Sequence, residues 1–240
     1  MQQYFADKPL VSGGTYELTP EQAHHAGTVL RMDGETIRLV HDGQGYFAVV
    51  RREGKKMIAE ITGIDPVPKE LPLDITLAMA LIRREKLELV LQKAAELGIN
   101  RIILFESSRC VVHARNERIE RQLERWRSIL QEAGEQCKRD RIPELAGIVP
   151  FEKLPAMKRG TGLLAYEKAG IEAARLSTVP LAEACTVVIG PEGGFAPEEA
   201  ETLLQAGFVT VSLGRRILRA ETAAIYAGSV LAERAESGAE

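Results

Sequence analysis

Two short apolar runs, each stopped by a glycine and followed by a helix-like pattern, constrain this chain more than anything else in it. The first is VVIGPEGGFAPEEAE, from Val187 to Glu201, and the second is VSLGRRILRAETAAI, from Val211 to Ile225. A β-branched run that ends in glycine and passes into a helix is the strand–loop–helix unit of an α/β fold. Two such units deliver backbone-rich loops to one edge of a sheet, where open α/β sheets hold small molecules.

The chain ahead of these loops has two textures. Residues 1 to about 65 carry short apolar runs, TIRLV (36–40), YFAVV (46–50) and MIAEITGI (57–64), separated by the turns HDGQG and EGKK. That is a small β-rich module. One helix interrupts it, with Thr19 as N-cap, Pro20 at N1 and Gln22 closing a capping box, and this helix is expected to carry AHHAGTVLRM. DPVPKELP (65–72) holds three prolines in eight residues and reads as a linker.

Beyond it, strand-like DITLAMALI (74–82), RIILF (101–105), TGLLAY (161–166), TVVIG (186–190) and FVTVSLG (208–214) alternate with helical patterns. The helices are expected at 85–98, at 116–139 with Ile119, Leu123, Trp126 and Leu130 on one face, from Pro197 to Gly207, and at 220–235. Strands alternating with helices predict a mostly parallel sheet covered on both faces.

Several classes are set aside. No run of ~20 apolar residues is present, so no membrane span is expected. The start, MQQYFADKPLVSGG, lacks a basic stretch followed by an apolar one, so export is not expected. Cys110, Cys137 and Cys185 are odd in number and widely spaced, and the four histidines (24, 25, 41 and 113) are scattered. A reducing cytoplasmic setting without a metal site follows as the expectation. The charge is uneven: residues 71–160 hold seventeen Lys/Arg against thirteen Asp/Glu, whereas 161–240 hold six against eleven. Nucleic-acid binding follows the local patch and not the total.

The loops themselves exclude the usual nucleotide sites. No G-x-G-x-x-G follows the first strand, and no G-x-x-x-x-G-K-[ST] exists. GPEGG is either a tight turn without a ligand or a ligand site made of backbone and apolar groups, with no phosphate cradle; the adenosine of S-adenosylmethionine suits the second. Glu221 and Thr222 are common first-turn residues, but Arg219 opposes the helix dipole there and is better explained by an anion or a developing negative charge.

Six stretches carry a family resemblance: HHAGTVLRM (24–32), EKLELVLQKAAELGI (85–99), SSRCVV (107–112), EQCKRDRIPEL (135–145), IGPEGGF (189–195) and LGRRILRAETAA (213–224). In this order, and over nearly the whole chain, they resemble the SPOUT class of methyltransferases, and within it the bacterial enzymes that methylate N3 of a uridine in 16S rRNA. The resemblance implies a PUA-like β-barrel over residues 1–68 that binds RNA, and a trefoil-knotted methyltransferase domain over 72–240. The residues alone would give an ordinary doubly wound sheet, because threaded chains are rare. It also implies a homodimer, a cytoplasmic location, and S-adenosylmethionine held beside Leu164, Ile189, Gly190, Pro191, Gly193, Leu213, Gly214, Leu218 and Ala223. Arg215 and Ala220 depart from the proline and threonine common at these positions in the family.

Uridine N3 is a poor nucleophile while protonated. Arg219 is the candidate to stabilise the uridine anion, and Glu192 and Glu221 are candidates for the base or for orienting Arg219. N3 lies on the Watson–Crick edge, so the target must be unpaired or flipped. Arg31, Arg51, Arg52, Arg109, Lys138 and Arg139 are the candidate phosphate contacts, with Lys55, Lys56, Arg115 and Arg141 beside them. The partner expected is 16S rRNA within the small ribosomal subunit. Two other readings stay open: a non-catalytic RNA-binding assembly factor, and a SPOUT enzyme acting on tRNA.

Overall fold

A computed structural model describes residues 1–114, 119–167 and 173–238. Arg115 and positions 116–118 of the expected long helix therefore lie outside the described residues. The chain divides into two compact units, one of Met1–Glu70 with Gly134–Arg141, the other of Leu71–Ala133 with Ile142–Glu240.

The first unit holds β1 (Gln2–Phe5), β2 (Thr15–Glu17), α1 (Pro20–His24), β3 (Thr36–His41), β4 (Gln44–Glu53) and β5 (Lys56–Ile64). They form one five-stranded sheet in the order β1-β3-β4-β5-β2, in which β1 runs parallel to β3 and the other pairs are antiparallel. Inward residues such as Tyr4, Tyr16, Ile37, Leu39, Val50 and Ile61 alternate with polar ones, as a half-buried sheet requires. The Thr19 capping box forms as expected. The helix it opens is shorter than expected: α1 gives way to a π-helical turn at His25–Val29, and Arg31 is left-handed at φ 55°. Gly27, Thr28 and Val29 are poor helix formers. The Arg52 guanidinium reaches into this turn and donates to Gly27 O at 2.9 Å.

One side chain organises the interior of this unit. Arg38, 1 % exposed, donates to Asp65 Oδ2 at 2.7 Å and to Gln3 Oε1 at 2.8 Å, and pairs with Asp140. Arg139 is bound to Glu70 through Nε at 3.1 Å and through a second, shorter contact. The proline-rich segment is thus clasped by residues 139–140 as well as connecting two sequences. Arg139, expected as a phosphate contact, is buried in this pairing with its guanidinium engaged by the Glu70 carboxylate.

The second unit holds β6 (Asp74–Ala80), α2 (Arg84–Glu96), β7 (Arg101–Glu106), β8 (Glu144–Pro150), β9 (Thr161–Ala165), β10 (Ala174–Arg175), β11 (Ala184–Ile189), α4 (Pro197–Gln205), β12 (Phe208–Ser212) and α5 (Ala220–Ser237). Most of α3 (Ile119–Gln136) belongs to it as well. The seven strands run in the order β10-β12-β9-β11-β6-β7-β8, and every pair is parallel. Burial on both faces explains the unbroken apolar strands; Ile75, Leu77, Leu104, Leu163, Val187 and Val188 are all at or below 2 % exposure. Leu123, Trp126 and Leu130 bury one face of α3, and Ala224, Ala227 and Leu231 bury one face of α5.

Candidate active site

The sheet order brings three loops together. β12, β9 and β11 are neighbours, with Val211 opposite Ala165 and Ala165 opposite Ile189. Their C-terminal ends therefore lie at one edge, and the chain after Ala165, Ile189 and Ser212 emerges side by side. β6 is next to β11, with Met79 opposite Ile189. The turn that enters α2 thus joins the same edge.

Each loop is shaped locally. After β11, Gly194 N donates to Pro191 O at 2.9 Å, so GPEGG makes a tight turn. Phe195 then folds back against the strand end: a Cβ at Gly190 would stand 2.9 Å from its ring. The same ring stacks on Phe105 at 6.3 Å and meets Tyr166 edge-on at 6.5 Å. Glu199, in the first turn of α4, accepts from Ala196 N at 2.9 Å, Ser108 N at 2.8 Å and Ser107 Oγ at 3.0 Å. That carboxylate ties the SSRC stretch to the GPEGG loop. Arg109 follows it, exposed, with one weak donation to Gly193 O at 3.4 Å.

After β12 the chain turns at Gly214, where φ is 116° and nothing stands within 4 Å of the place a Cβ would take. Only glycine adopts that backbone freely, and the space beside it is open. Arg219 is the N-cap of α5, with φ −66° and ψ 154°, and Glu221 sits in the first turn. Among the sequence-selected neighbours, Leu164, Ile189 and Ala223 are buried, Leu213 and Leu218 are half-buried, and Gly214 is exposed.

Lys86 joins these parts. Its Nζ lies 3.2 Å from Glu221 Oε1 and 3.8 Å from Glu192 Oε1, so one cation from α2 bridges the two selected carboxylates. Burial raises the Glu221 carboxyl, but the helix N-terminus, Lys86 and the Arg219 charge outweigh it, and the pKa lies below the ordinary carboxylate value. Glu221 Oε2 is buried and has no hydrogen-bond partner among the described residues. Sequence reasoning passed over Lys86 as one more charge on a helix. A signal was present: Lys86 follows Arg83 and Arg84 at a helix start, where cations oppose the dipole and need a countercharge.

The remaining candidates lie apart from this cluster in kind. Arg31, Arg51 and Arg52 are exposed. Lys138 is half-buried and donates to Glu135 O at 3.1 Å, and burial draws its pKa down. Burial pushes the Cys110 thiol up, away from the reactive thiolate. Among the described residues no cluster of His, Cys, Asp and Glu could hold a metal, and no helix is long and apolar enough to cross a membrane.

Comparison with known proteins agrees with this geometry. Residues 69–232 match the family described as RNA methyltransferase domain. The ribosomal RNA small subunit methyltransferase E of Bacillus subtilis is 30% identical over 98% of both chains. That of Mycobacterium bovis is 31% identical over 93% of this chain and 88% of its own. The crystal structure of the Neisseria gonorrhoeae protein of that name, bound to S-adenosyl methionine, matches with a TM-score of 0.87 at 28% identity and covers 96% of each chain. With an α/β fold, a parallel sheet and full-length similarity, the chain belongs to the ribosomal RNA small subunit methyltransferase E family.

Proposed function

We propose that this protein transfers a methyl group from S-adenosylmethionine to N3 of a uridine in 16S rRNA. The observation that carries the reading is the meeting of Lys86, Glu192 and Glu221 at the edge where β9, β11 and β12 end, in a chain of this family. The residues suit the cofactor chemically. Leu164, Leu213 and Leu218 offer apolar walls for a nucleoside, and the open space at Gly214 lets backbone approach it. Carboxylates with one unsatisfied buried oxygen suit a cationic ligand better than a phosphate. Ile189, Gly190, Pro191, Gly193 and Ala223 complete the proposed pocket.

When bound, the cofactor supplies an electrophilic methyl on a sulfonium. The protein's part is to hold the uracil ring and make N3 nucleophilic. Arg219, exposed and without an ion-pair partner among the described residues, stabilises the uridine anion at the uracil oxygens. A carboxylate held below its ordinary pKa is a weak base, so Glu221 serves as a fixed acceptor and anchor of Lys86 rather than as the main proton acceptor. Glu192, more exposed and farther from Lys86, is left as the candidate base.

The finer architecture belongs to the same proposal. Residues 72–240 form a trefoil-knotted SPOUT domain, two copies of which pair as a homodimer. Residues 1–68 form a PUA-like barrel that grips rRNA through Arg31, Arg51 and Arg52, with Arg109 and Lys138 as further phosphate contacts. The substrate is the assembled small subunit, in the cytoplasm. Methyl transfer from labelled S-adenosylmethionine to subunits lacking the modification, read by nucleoside mass spectrometry, tests this. 3-Methyluridine in 16S rRNA is the expected product. Intact protein that binds no cofactor and labels no rRNA would overturn the reading and favour an assembly factor.

A further inference from the structure

The seven residues between β12 and α5 end in a tip that the mechanism leaves unused. Ile217 is 89 % exposed, the most exposed of the protein's large apolar side chains among the described residues. Arg215, Arg216 and Arg219 flank it, all exposed. None of the three guanidinium groups makes an ion pair or a hydrogen bond among the described residues. Residues 161–240 carry only six Lys/Arg against eleven Asp/Glu, and three of those six fall within 215–219. The tip is therefore the positive point of an acidic segment. Ser212 Oγ accepts from Gly214 N at 3.2 Å and braces its base. A bare aliphatic group flanked in the chain by unpaired guanidiniums matches one chemistry, the unstacked base step of a nucleic acid with its phosphates on either side.

We infer that Ile217 is a wedge that occupies the stack vacated by the target uridine, while Arg215 and Arg216 hold the flanking phosphates. This rests on the proposed uridine-N3 activity, and adds to it the residue that opens the RNA. N3 faces the pairing edge, so a paired uridine must leave its place before reaction, and filling the gap keeps it from falling back. Ile217 is thus a positioning residue: it touches the neighbouring bases and acts on the reacting one only by excluding its return.

The test compares Ile217→Ala and Ile217→Leu with the wild type on undermodified small ribosomal subunits. Cofactor affinity is read by calorimetry and assembly state by sedimentation. The expected result is a loss of about tenfold or more in kcat for Ile217→Ala. Its KM, cofactor affinity and assembly state stay those of the wild type, and Ile217→Leu restores the rate. The double variant Arg215→Ala, Arg216→Ala instead raises KM and flattens the salt dependence. Wild-type kcat in Ile217→Ala overturns the inference. So does a changed assembly state, which would make the tip a contact with a second copy, or lost cofactor binding, which would make it a wall of the pocket. Failure of the wild type to methylate rRNA at all would instead sink the functional proposal.

Discussion

Lys86 Nζ stands 3.2 Å from Glu221 Oε1, joining the first turn of α2 to the first turn of α5. Side chains separated by well over a hundred positions thus share one charge pair beside the candidate cofactor loops. The lysine is 31 % and the glutamate 12 % exposed at their side chains, so the pair is shielded but not sealed.

Removing the lysine takes the shared ammonium away from both carboxylates. Lys86→Met is expected to lower stability by about 1–2 kcal/mol and to slow methyl transfer. Adding Glu221→Gln should cost less in that background than in the wild type, because the uncompensated charge is then gone. A double-mutant cycle in urea measures this coupling; strictly additive losses would show that the pair is incidental.

Arg219→Ala removes the proposed stabiliser of the uridine anion. The rate is expected to fall by about 10²–10³-fold with cofactor affinity little changed. Single-turnover methylation beside cofactor titration separates the two quantities, and a near wild-type rate would exclude Arg219 from the chemistry.

Glu88 gives a pH signature. Arg125 donates to both its oxygens at 2.7 and 2.9 Å, and with Arg84 it outweighs burial and holds the carboxyl at about 2 against an ordinary 4.5. A pKa lowered by folding contributes stability that is fully present above the unfolded value and is lost as pH falls through the folded one. The stability gap between wild type and Glu88→Gln should therefore be constant from pH 5 upward and close between about 4.5 and 2. Urea midpoints across that range read it directly; a gap that persists at pH 2 contradicts the assignment.

Arg52 and Arg139 look alike in the sequence and are expected to behave oppositely. Arg52→Ala should weaken RNA binding and reduce its salt slope by about 1, with little effect on folding. Arg139→Gln should lower the melting temperature, since it leaves Glu70 partly buried without its partner, and should leave the salt slope alone. Filter binding over a salt series, beside thermal denaturation, distinguishes them.

These two arginines also mark where the sequence stops being informative. Element identity was legible wherever a local code existed: the Thr19 capping box, the Pro197 start of α4, and the apolar runs of β6, β7, β9, β11 and β12. β1 and β8 carry no such code. QQYF is strand because it pairs in parallel with β3, and Gln3 turns inward to donate to Arg139 O at 2.7 Å, a partner far along the chain. β8 holds Gly147 at φ 94° and ends at Pro150, so it reads as a loop until β7 pairs with it. The glycine loops and their acidic and basic residues could be picked out, because loop chemistry is local. Lys86 left only the trace of a cation at a helix start, because its partners are chosen by strand order. The burial of Arg139 was hidden for the same reason, its partner Glu70 lying in an apparent linker.

The clasp around Arg38 bears on how this protein can be divided. The first unit is completed by Gly134–Arg141, so the backbone crosses the boundary at 70/71, 133/134 and 141/142. A fragment ending at Glu70 would keep Arg38 and Glu70 but leave behind Asp140 and Arg139, their counterions. No single cut or gene fusion can transplant this module whole. Either fragment expressed alone would lose counterions for buried charge: Arg38 would keep Asp65 but not Asp140, and Arg139 would lose Glu70.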